Sequence, residues 1–361
     1  MTKAIVALLY LAVPLAAQQP ERFALTGGNV AVYNLVGEMR VEAGSGRDVV
    51  VEVTRGGSDR QQVRVERGRI DGREALRVFV PASQIVYSRM GRGSRSNIRV
   101  RDDGTFGGTG IRGNAVTVQG SGRGVEAFAD VRVLVPAGQQ VTVHQGVGRM
   151  QAANVNGRLT VRTQAAAVTT SGTRGSLDVN VGSGAVRVDG ADGPLKVDTG
   201  SGSVDVRAVR GDAELDTGSG SVRLADVRGG RLKVDTGSGS VAGSGIAVSD
   251  LEVDVGSGGV QLTDVRAPNA KVDTGSGSVR LDLTGEVRAV KIDSGSGGIT
   301  LGIPSTTGAM LEIDTGSGGI NVDLPARVTR SRRSHFSGQL GDGRGRIEID
   351  TGSGSVRVRG S

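Results

Sequence analysis

Apolar and polar residues alternate through the C-terminal part of the chain, in short runs that recur at a nearly constant interval. One unit, 232–248, reads Leu-Lys-Val-Asp-Thr-Gly-Ser-Gly-Ser-Val-Ala-Gly-Ser-Gly-Ile-Ala-Val. Alternation with a period of two, rich in β-branched residues, is typical of strands that bury one face. No helical period of 3.6 runs through 146–361. The pattern therefore predicts an all-β region with two short strands in each repeat.

The apolar positions of the two runs can be aligned from one repeat to the next. The first run contributes two apolar positions per repeat: Leu195/Val197, Leu232/Val234, Leu251/Val253, Val290/Ile292, Leu311/Ile313 and Ile347/Ile349. The second run contributes three: Val204/Val206/Val209, Val222/Leu224/Val227, Val260/Leu262/Val265, Val279/Leu281/Leu283 and Ile299/Leu301/Ile303. We expect each strand to pair in parallel with its copy in the next repeat, so that these side chains form a thin stacked core.

A Gly-rich corner between the two runs sets the period. Its first position falls at Gly146, Gln164, Gly182, Gly200, Gly218, Gly237, Gly256, Gly275, Gly295, Gly316 and Gly352. The steps grow from 18 to 21 residues, and the last step of 36 is expected to contain one more irregular turn. Such a period indicates a solenoid. We predict a single-stranded parallel β-solenoid of about twelve coils, wound right-handed and on the order of 55 Å long at roughly 4.8 Å per coil.

Charged residues occupy the outward positions of the first run. One position carries mostly opposite charges in turn: Lys196, Glu214, Lys233, Glu252, Lys271, Lys291 and Glu312. Two positions later the charge has one sign: Asp198, Asp216, Asp235, Asp254, Asp273, Asp293 and Asp314. At ~4.8 Å in water each neighbouring pair of carboxylates repels by roughly 0.9 kcal/mol. An Asx-turn to the following Thr-Gly-Ser amides would offset this repulsion, as would a row of Ca²⁺ ions, and we favour the turn.

The N-terminus has the features of an export signal. Met1-Thr2-Lys3 is followed by an apolar run over 4–15 and then by Ala16-Ala17-Gln18. This predicts a signal peptide over 1–17, too short to be a transmembrane span. With no Cys in the chain, neither a lipid attachment site nor a disulfide is expected. We expect an exported protein, periplasmic or extracellular at the cell surface, without a transmembrane segment in the mature chain.

Residues 18–140 are less regular but still alternate in short runs, at 30–35, 49–53, 76–80 and 131–135 among others. An uncapped solenoid end exposes a sheet edge that invites aggregation. We therefore predict an N-terminal β-rich cap over 18–140, with a Gly- and Arg-rich insertion, whose sheet runs into the solenoid domain at 141–361.

The net charge of +7 comes mainly from Arg. Two clusters contain the candidate polyanion-binding residues: Arg89, Arg92, Arg95, Arg99 and Arg101 in the insertion, and Arg330, Arg332 and Arg333 near the C-terminus. Both could equally be solvated loops, which is the commoner meaning of a charge run. The partners implied are acidic glycans or envelope polymers. Nucleic acid is not expected, because no aromatic residues interleave with these arginines.

Motifs that resemble catalytic sites have simpler explanations. Asp-Thr-Gly-Ser, the tetrad of aspartic proteases, occurs six times in phase with the repeat and is therefore interpreted as a corner sequence. Two His and no Cys are too few for a zinc site or a His-based triad. We predict no catalytic, metal or cofactor-binding residues. The alternative, a glycan-cleaving β-helix enzyme, would need carboxylates placed off the repeat pattern in a cleft.

The repeated Asp-Thr-Gly-Ser-Gly-Ser-Val and the segments 338–343 and 350–356 resemble the DUF4097 family of bacterial β-strand-repeat proteins. The resemblance covers about 141–361. It implies an exported β-helical domain with the adhesin label that this family carries, and it brings no catalytic residues. The expected function is a non-enzymatic, adhesin-like binding or structural module.

Overall fold

The computed structural model describes residues 19–107 and 112–360. The predicted signal peptide lies outside this part of the chain. The described residues form 29 β-strands and two single-turn 3₁₀-helices, Arg60–Gln62 and Ser88–Met90. They include no helix that is long and apolar enough to cross a membrane. The prediction of an all-β protein is confirmed.

The strands fall into an N-terminal group, a repeat group and a C-terminal group. The N-terminal strands are β1 (Glu21–Leu25), β2 (Asn29–Ala43), β3 (Val49–Gly56), β4 (Arg64–Ile70), β5 (Arg73–Phe79), β6 (Gln84–Val86), β7 (Arg95–Val100), β8 (Asn114–Gln119) and β9 (Phe128–Val135). The first repeat strands are β10 (Gln139–Ala153), β11 (Gly157–Arg174), β12 (Leu177–Ser183), β13 (Val186–Asp192), β14 (Leu195–Ser201), β15 (Val204–Arg210), β16 (Ala213–Ser219), β17 (Val222–Ser238) and β18 (Val241–Ser257).

The later repeat strands are β19 (Val260–Arg266), β20 (Asn269–Ser276), β21 (Val279–Leu283), β22 (Ala289–Ser296), β23 (Ile299–Ile303), β24 (Ala309–Ser317) and β25 (Ile320–Asp323). The C-terminal strands are β26 (Ala326–Arg332), β27 (His335–Leu340), β28 (Gly345–Ser353) and β29 (Val356–Gly360). Twenty-six of these strands join one sheet, while β6, β7 and β8 form a second, three-stranded sheet in the insertion.

Each repeat strand pairs in parallel with its copy one repeat later, as the alternation predicted. Leu177 lies opposite Leu195, and Val234 lies opposite Val253. The aligned apolar columns of both runs are buried throughout, with no member more than 4% exposed. The register and the core of the parallel, solenoid-like repeat are therefore confirmed.

The corner sequence is explained by two close contacts between coils. The Thr of Asp-Thr-Gly-Ser is buried, and Thr236 donates its hydroxyl hydrogen bond to the carbonyl oxygen of Gly220 at 3.3 Å. Gly239 has a φ of +142°, and a Cβ there would lie 2.2 Å from that same carbonyl oxygen. Only Gly allows such an approach of two backbones. The tetrad is therefore a structural part of the repeat, but its four residues still belong to the strand and the corner itself begins at the Gly that follows, Gly239 in this copy.

At the N-terminal end the order of strands in space differs from their order in sequence. β2 pairs in parallel with β10 on one side and with both β5 and β9 on the other. Thus β9, which directly precedes β10 in the chain, is separated from it by β2. Antiparallel strands cover the outer positions, β4 on β5 and β3 followed by β1 on β9.

The C-terminal end shows the same inversion, which corrects the expected irregular turn in the 36-residue step. After β25 the chain forms an antiparallel hairpin, β26 and β27, and β27 pairs antiparallel with β24. The chain then returns, and β28 lies between β22 and β24, paired in parallel with both. The coil that is last in sequence is therefore interior in space. An ion pair of 2.6 Å from Arg359 to Asp282 ties β29 to β21, across Gly302 of the intervening coil.

Candidate binding surfaces

The aspartate row runs along the outer face of the first-run strands. In space it holds eight carboxylates in succession: Asp198, Asp216, Asp235, Asp254, Asp273, Asp293, Asp350 and Asp314. Asp350 enters between Asp293 and Asp314 because β28 is inserted there. Asp293 and Asp314 are consecutive members of the row in the sequence, so the repeat pattern alone does not reveal this neighbour.

The predicted Asx-turns are wrong. Among the described residues, no corner amide donates a hydrogen bond to a carboxylate of this row, because each Asp lies within a strand whose amides pair with neighbouring coils. Other side chains meet three members instead: Asn180 donates to Asp198 at 3.2 Å, Lys291 pairs with Asp293 at 3.1 Å, and His335 Nδ1 lies 2.8 Å from Asp314. The row is thus partnered at both ends.

The effect of the neighbouring carboxylates is seen in the pKa of Asp350. Partial burial raises its pKa above the usual range, and the neighbouring carboxylates of Asp293 and Asp314 raise it further. Within residues 19–107 and 112–360, no three His, Cys, Asp or Glu side chains are arranged to hold a metal ion.

The Lys/Glu row follows its predicted register, and Lys196 pairs with Glu214 at 3.2 Å. The inserted β28 places Glu348 between Lys291 and Glu312, so two glutamates become neighbours. Arg346 lies beside both, pairing with Glu348 and approaching Glu312 at 4.0 Å. The inserted strand therefore supplies the cation that its own glutamate requires.

The first arginine cluster is divided by the structure. Arg89 forms an ion pair with Asp130 at 2.9 Å and lies 4.6 Å above the Phe128 ring, and the hydrogen bond that it donates to Asp130 raises the arginine pKa. Arg92 is exposed in the loop before β7. Arg101 is exposed just after β7, with its guanidinium 3.1 Å from Thr105 Oγ1.

Arg95 and Arg99 lie together on the outer face of the three-stranded sheet. They alternate with Ile98 and Val100, which are buried against the core. Their cross-strand neighbours on β8 are Gln119 and Ala115, and the position between them pairs Asn97 with Thr117. No carboxylate belongs to these six paired positions. This face is therefore mostly polar, with two cationic side chains.

The second arginine cluster lies at the opposite end of the stack, on the hairpin that follows β25. Arg330 and Arg332 project from the same face of β26, opposite Ser337 and His335, whereas Arg333 lies in the turn. Every residue of β26 from Arg327 to Arg332 is exposed, and among the described strands β26 pairs only with β27. The structure does not bring the two clusters together.

The aromatic residues are mostly internal. Tyr33 and His144 stack in parallel with ring centroids 4.0 Å apart, and Phe106 meets both rings edge-on. Burial, assisted by the charges of Arg162 and Arg73, lowers the pKa of His144 to about 3. His144 is therefore neutral near pH 7 and belongs to the packing of the first coils.

Further exposed arginines lie inside the repeats, outside the two clusters that the charge pattern indicated. Arg210, Arg223, Arg228 and Arg266 are exposed, and none has a carboxylate within ion-pair distance among the described residues. Arg210 and Arg228 face each other on adjacent coils. Reading the outward positions of the second run, as was done for the first, would have found them.

Of the comparisons with known proteins, the family model shows the family of this chain. The family model for DUF4097, described as Toastrack, matches residues 85–359. No curated protein matches the chain. A candidate cell adhesion protein from Clostridium sporogenes is a similar solved structure, with 11% identity, coverage of 95% of this chain and 100% of that chain, and a TM-score of 0.22. A likeness that distant supports no inference here, whereas the family match spans most of the sequence. The chain belongs to the Toastrack DUF4097 family.

Proposed function

We propose that this protein is an exported, non-enzymatic binding module that holds acidic glycans or other anionic envelope polymers on exposed arginines. The observation that carries the proposal is the outer face of the three-stranded sheet, where Arg95 and Arg99 stand without a carboxylate among the paired positions around them. Membership of the Toastrack family fits a surface or binding module.

The physical argument rests on geometry and charge. Side chains on one face of a strand recur about every 7 Å, so Arg95 and Arg99, which are separated on that face by Asn97, lie about 13 Å apart. They can therefore meet anionic groups spaced along an extended polymer. Arginine binds carboxylate and sulfate groups through its planar fork of N–H donors. Unpaired cations retain this capacity, whereas Arg89 is already held by Asp130.

A glycan-cleaving enzyme is the alternative. Asp350, whose pKa is raised beside two further carboxylates, has the electrostatic features of a general acid. It lies on an exposed strand face at a repeat position, however, and not among residues that line a groove. Binding without cleavage is the proposal that the arginine surface favours.

The repeat is proposed to be one right-handed solenoid of about twelve coils, which would hold its binding faces at fixed distances along a rigid rod. A rod of this kind suits a spacer or adhesin at an envelope. The two arginine clusters would then engage polymers at its opposite ends.

The test is retention of the purified protein on acidic and neutral glycan columns at two salt concentrations, with assay of new reducing ends. We expect retention on acidic glycans that falls at the higher salt, without product. The double variant Arg95→Ala/Arg99→Ala should lose most of it. The control Arg210→Ala/Arg228→Ala removes the same charge from another face and should retain binding. Product release would establish the enzyme, and equal losses in both variants would reduce the effect to net charge.

A further inference from the structure

A cleft lies between the insertion and the first coils of the stack. Its volume is about 570 Å³, within the range typical of small-molecule sites. The insertion contributes Tyr87, Arg89, Met90 and Ser94, and the corners of the first coils contribute the opposite wall, including Val147–Arg149 and 165–167. The cleft therefore forms where two parts of the fold meet, which is a common location for ligand sites.

The repeat sequence changes at this cleft. The corner at 164–167 reads Gln-Ala-Ala-Ala, where most later corners read Gly-Ser-Gly-Ser or Gly-Ser-Gly-Gly. Its strand, β11, runs without a break through the corner from Gly157 to Arg174. Ala165 and Ala167 are only partly covered, so methyl groups replace the polar corner surface. The departure from the repeat thus gives one wall of the cleft an apolar surface, and Met90 adds an apolar side chain on the opposite wall.

One cation in this cleft is free. Arg149 is exposed and has no carboxylate within ion-pair distance among the described residues, although Glu38 is its neighbour in the adjacent coil. Glu38 lies instead 3.7 Å from Arg40. Arg89 is fixed by Asp130 and Phe128, so it shapes the cleft without offering an unpaired charge.

We infer that this cleft binds a uronic acid unit of an acidic glycan, with its carboxylate on Arg149 and the C–H face of its ring on Ala165 and Ala167, across the cleft from Met90. The inference rests on the proposed function and names the subsite and the sugar class. A carboxylate matches the two parallel N–H donors of an arginine fork. A sugar ring has an apolar face, which suits a wall of small methyl groups.

The test is calorimetric titration with a linear trigalacturonate, and with its methyl ester as a ligand of the same shape without charge. We expect the ester to bind about tenfold more weakly, and Arg149→Met to reduce affinity for the acid by about tenfold while leaving affinity for the ester unchanged. Arg149→Lys should give an intermediate loss. Ala167→Trp should block the cleft and abolish binding of both ligands. The control Arg223→Met removes an exposed arginine from another face and should bind normally.

The outcomes separate this inference from the proposed function. Normal binding by both Arg149→Met and Ala167→Trp would overturn the cleft while leaving a glycan-binding protein. If Ala167→Trp does not fold, as judged by its melting transition, the Arg149 pair of variants still decides. Preference for a sulfated trisaccharide over trigalacturonate would overturn the carboxylate assignment. No binding of the wild-type protein to either trisaccharide would overturn the cleft, whereas column retention decides the proposed function.

Discussion

Between β11 and β23 the coils have the same order in space as along the chain. The order differs at both ends: β2 lies inside β5 and β9, and β28 lies inside β24, although each is nearer to a terminus in the sequence. In the middle, each strand pairs with the equivalent strands of the preceding and following repeats. At the ends, β2 and β28 are each held between two parallel neighbours. A stack of equivalent coils would be expected to fray from its terminal repeats. Here β2 and β28 are interior, so fraying of either strand requires the loss of contacts on both sides.

Except for β25, which pairs in parallel with β29, the outermost strands also differ from the middle in direction. β1 and β3, β4, and the β26–β27 hairpin all run antiparallel to the strand that each covers. An exposed edge strand offers unpaired backbone groups with which another chain can pair. An antiparallel, charged edge strand with a bulge makes such pairing less favourable. The hairpin at the C-terminal end has these features, since its register shifts between Val328 and Arg330. The arginines of β26 therefore have a structural role in addition to any ligand.

Truncation after residue 344 should have the largest effect. It removes β28 and β29, and thereby uncovers the buried columns of β22 and β24 together. We expect loss of protection over 289–303 as well as 309–340, measured by amide hydrogen exchange. In a stack ordered as in the sequence, the same truncation would leave 289–303 protected, and that result would contradict the inserted coil.

Val234→Asp tests the middle of the stack and should be nearly as damaging. The side chain is completely buried, so an unpaired carboxylate there should lower the free energy of unfolding by about 3 to 5 kcal/mol. The neighbouring Lys233→Ala changes an outward residue and should cost less than about 0.5 kcal/mol. Chemical denaturation measures both, and equal losses would mean that the register is shifted by one residue, since such a shift exchanges the two faces.

Arg359→Ala tests the tie that holds the inserted coil. Its ion pair with Asp282 is the more protected of the two made by β29, since Asp282 is only 13% exposed. We expect a loss of about 1 kcal/mol by denaturation, because solvent screens part of the interaction. Arg357→Ala, which breaks a more exposed pair with Asp323, is the matched control and should have little effect. A larger loss of unfolding free energy in Arg357→Ala than in Arg359→Ala would show that the Arg359–Asp282 ion pair is not the more important of the two.

Much of this architecture could be predicted because the repeat phase determines which side chains are buried. Leu195 and Val197, for example, lie where the alternation placed them. The order of the last coils could not be predicted, because the Ile347 and Ile349 column fits equally well between Ile292 and Ile313 or beyond Ile313. Chemically equivalent coils fit next to one another in any order, so the apolar columns do not determine which coils are adjacent. Here the β26–β27 hairpin covers β24 on one side, and β28 pairs with β24 on the other. The division of the arginine cluster between Arg89 and Arg95 depends likewise on contacts to β9 that a local charge run does not reveal.

Asp350→Asn should have the smallest effect, and it is specific to the inserted strand. The folded-state pKa of Asp350 is raised, so its ionised form is disfavoured by folding, and this penalty exists above the unfolded pKa of about 3.9. As the pH falls through the raised folded pKa, the wild-type carboxylate takes up a proton and the penalty is relieved.

The variant should therefore be more stable than the wild-type protein by a few tenths of a kcal/mol at pH 7, with the difference shrinking below about pH 4 and in high salt. Thermal melts at these two pH values and two salt concentrations measure it. A variant that is less stable at pH 7 would show that the carboxylate makes a favourable contact, and that the row of aspartates is compensated at Asp350 as well as at its neighbours Asp293 and Asp314.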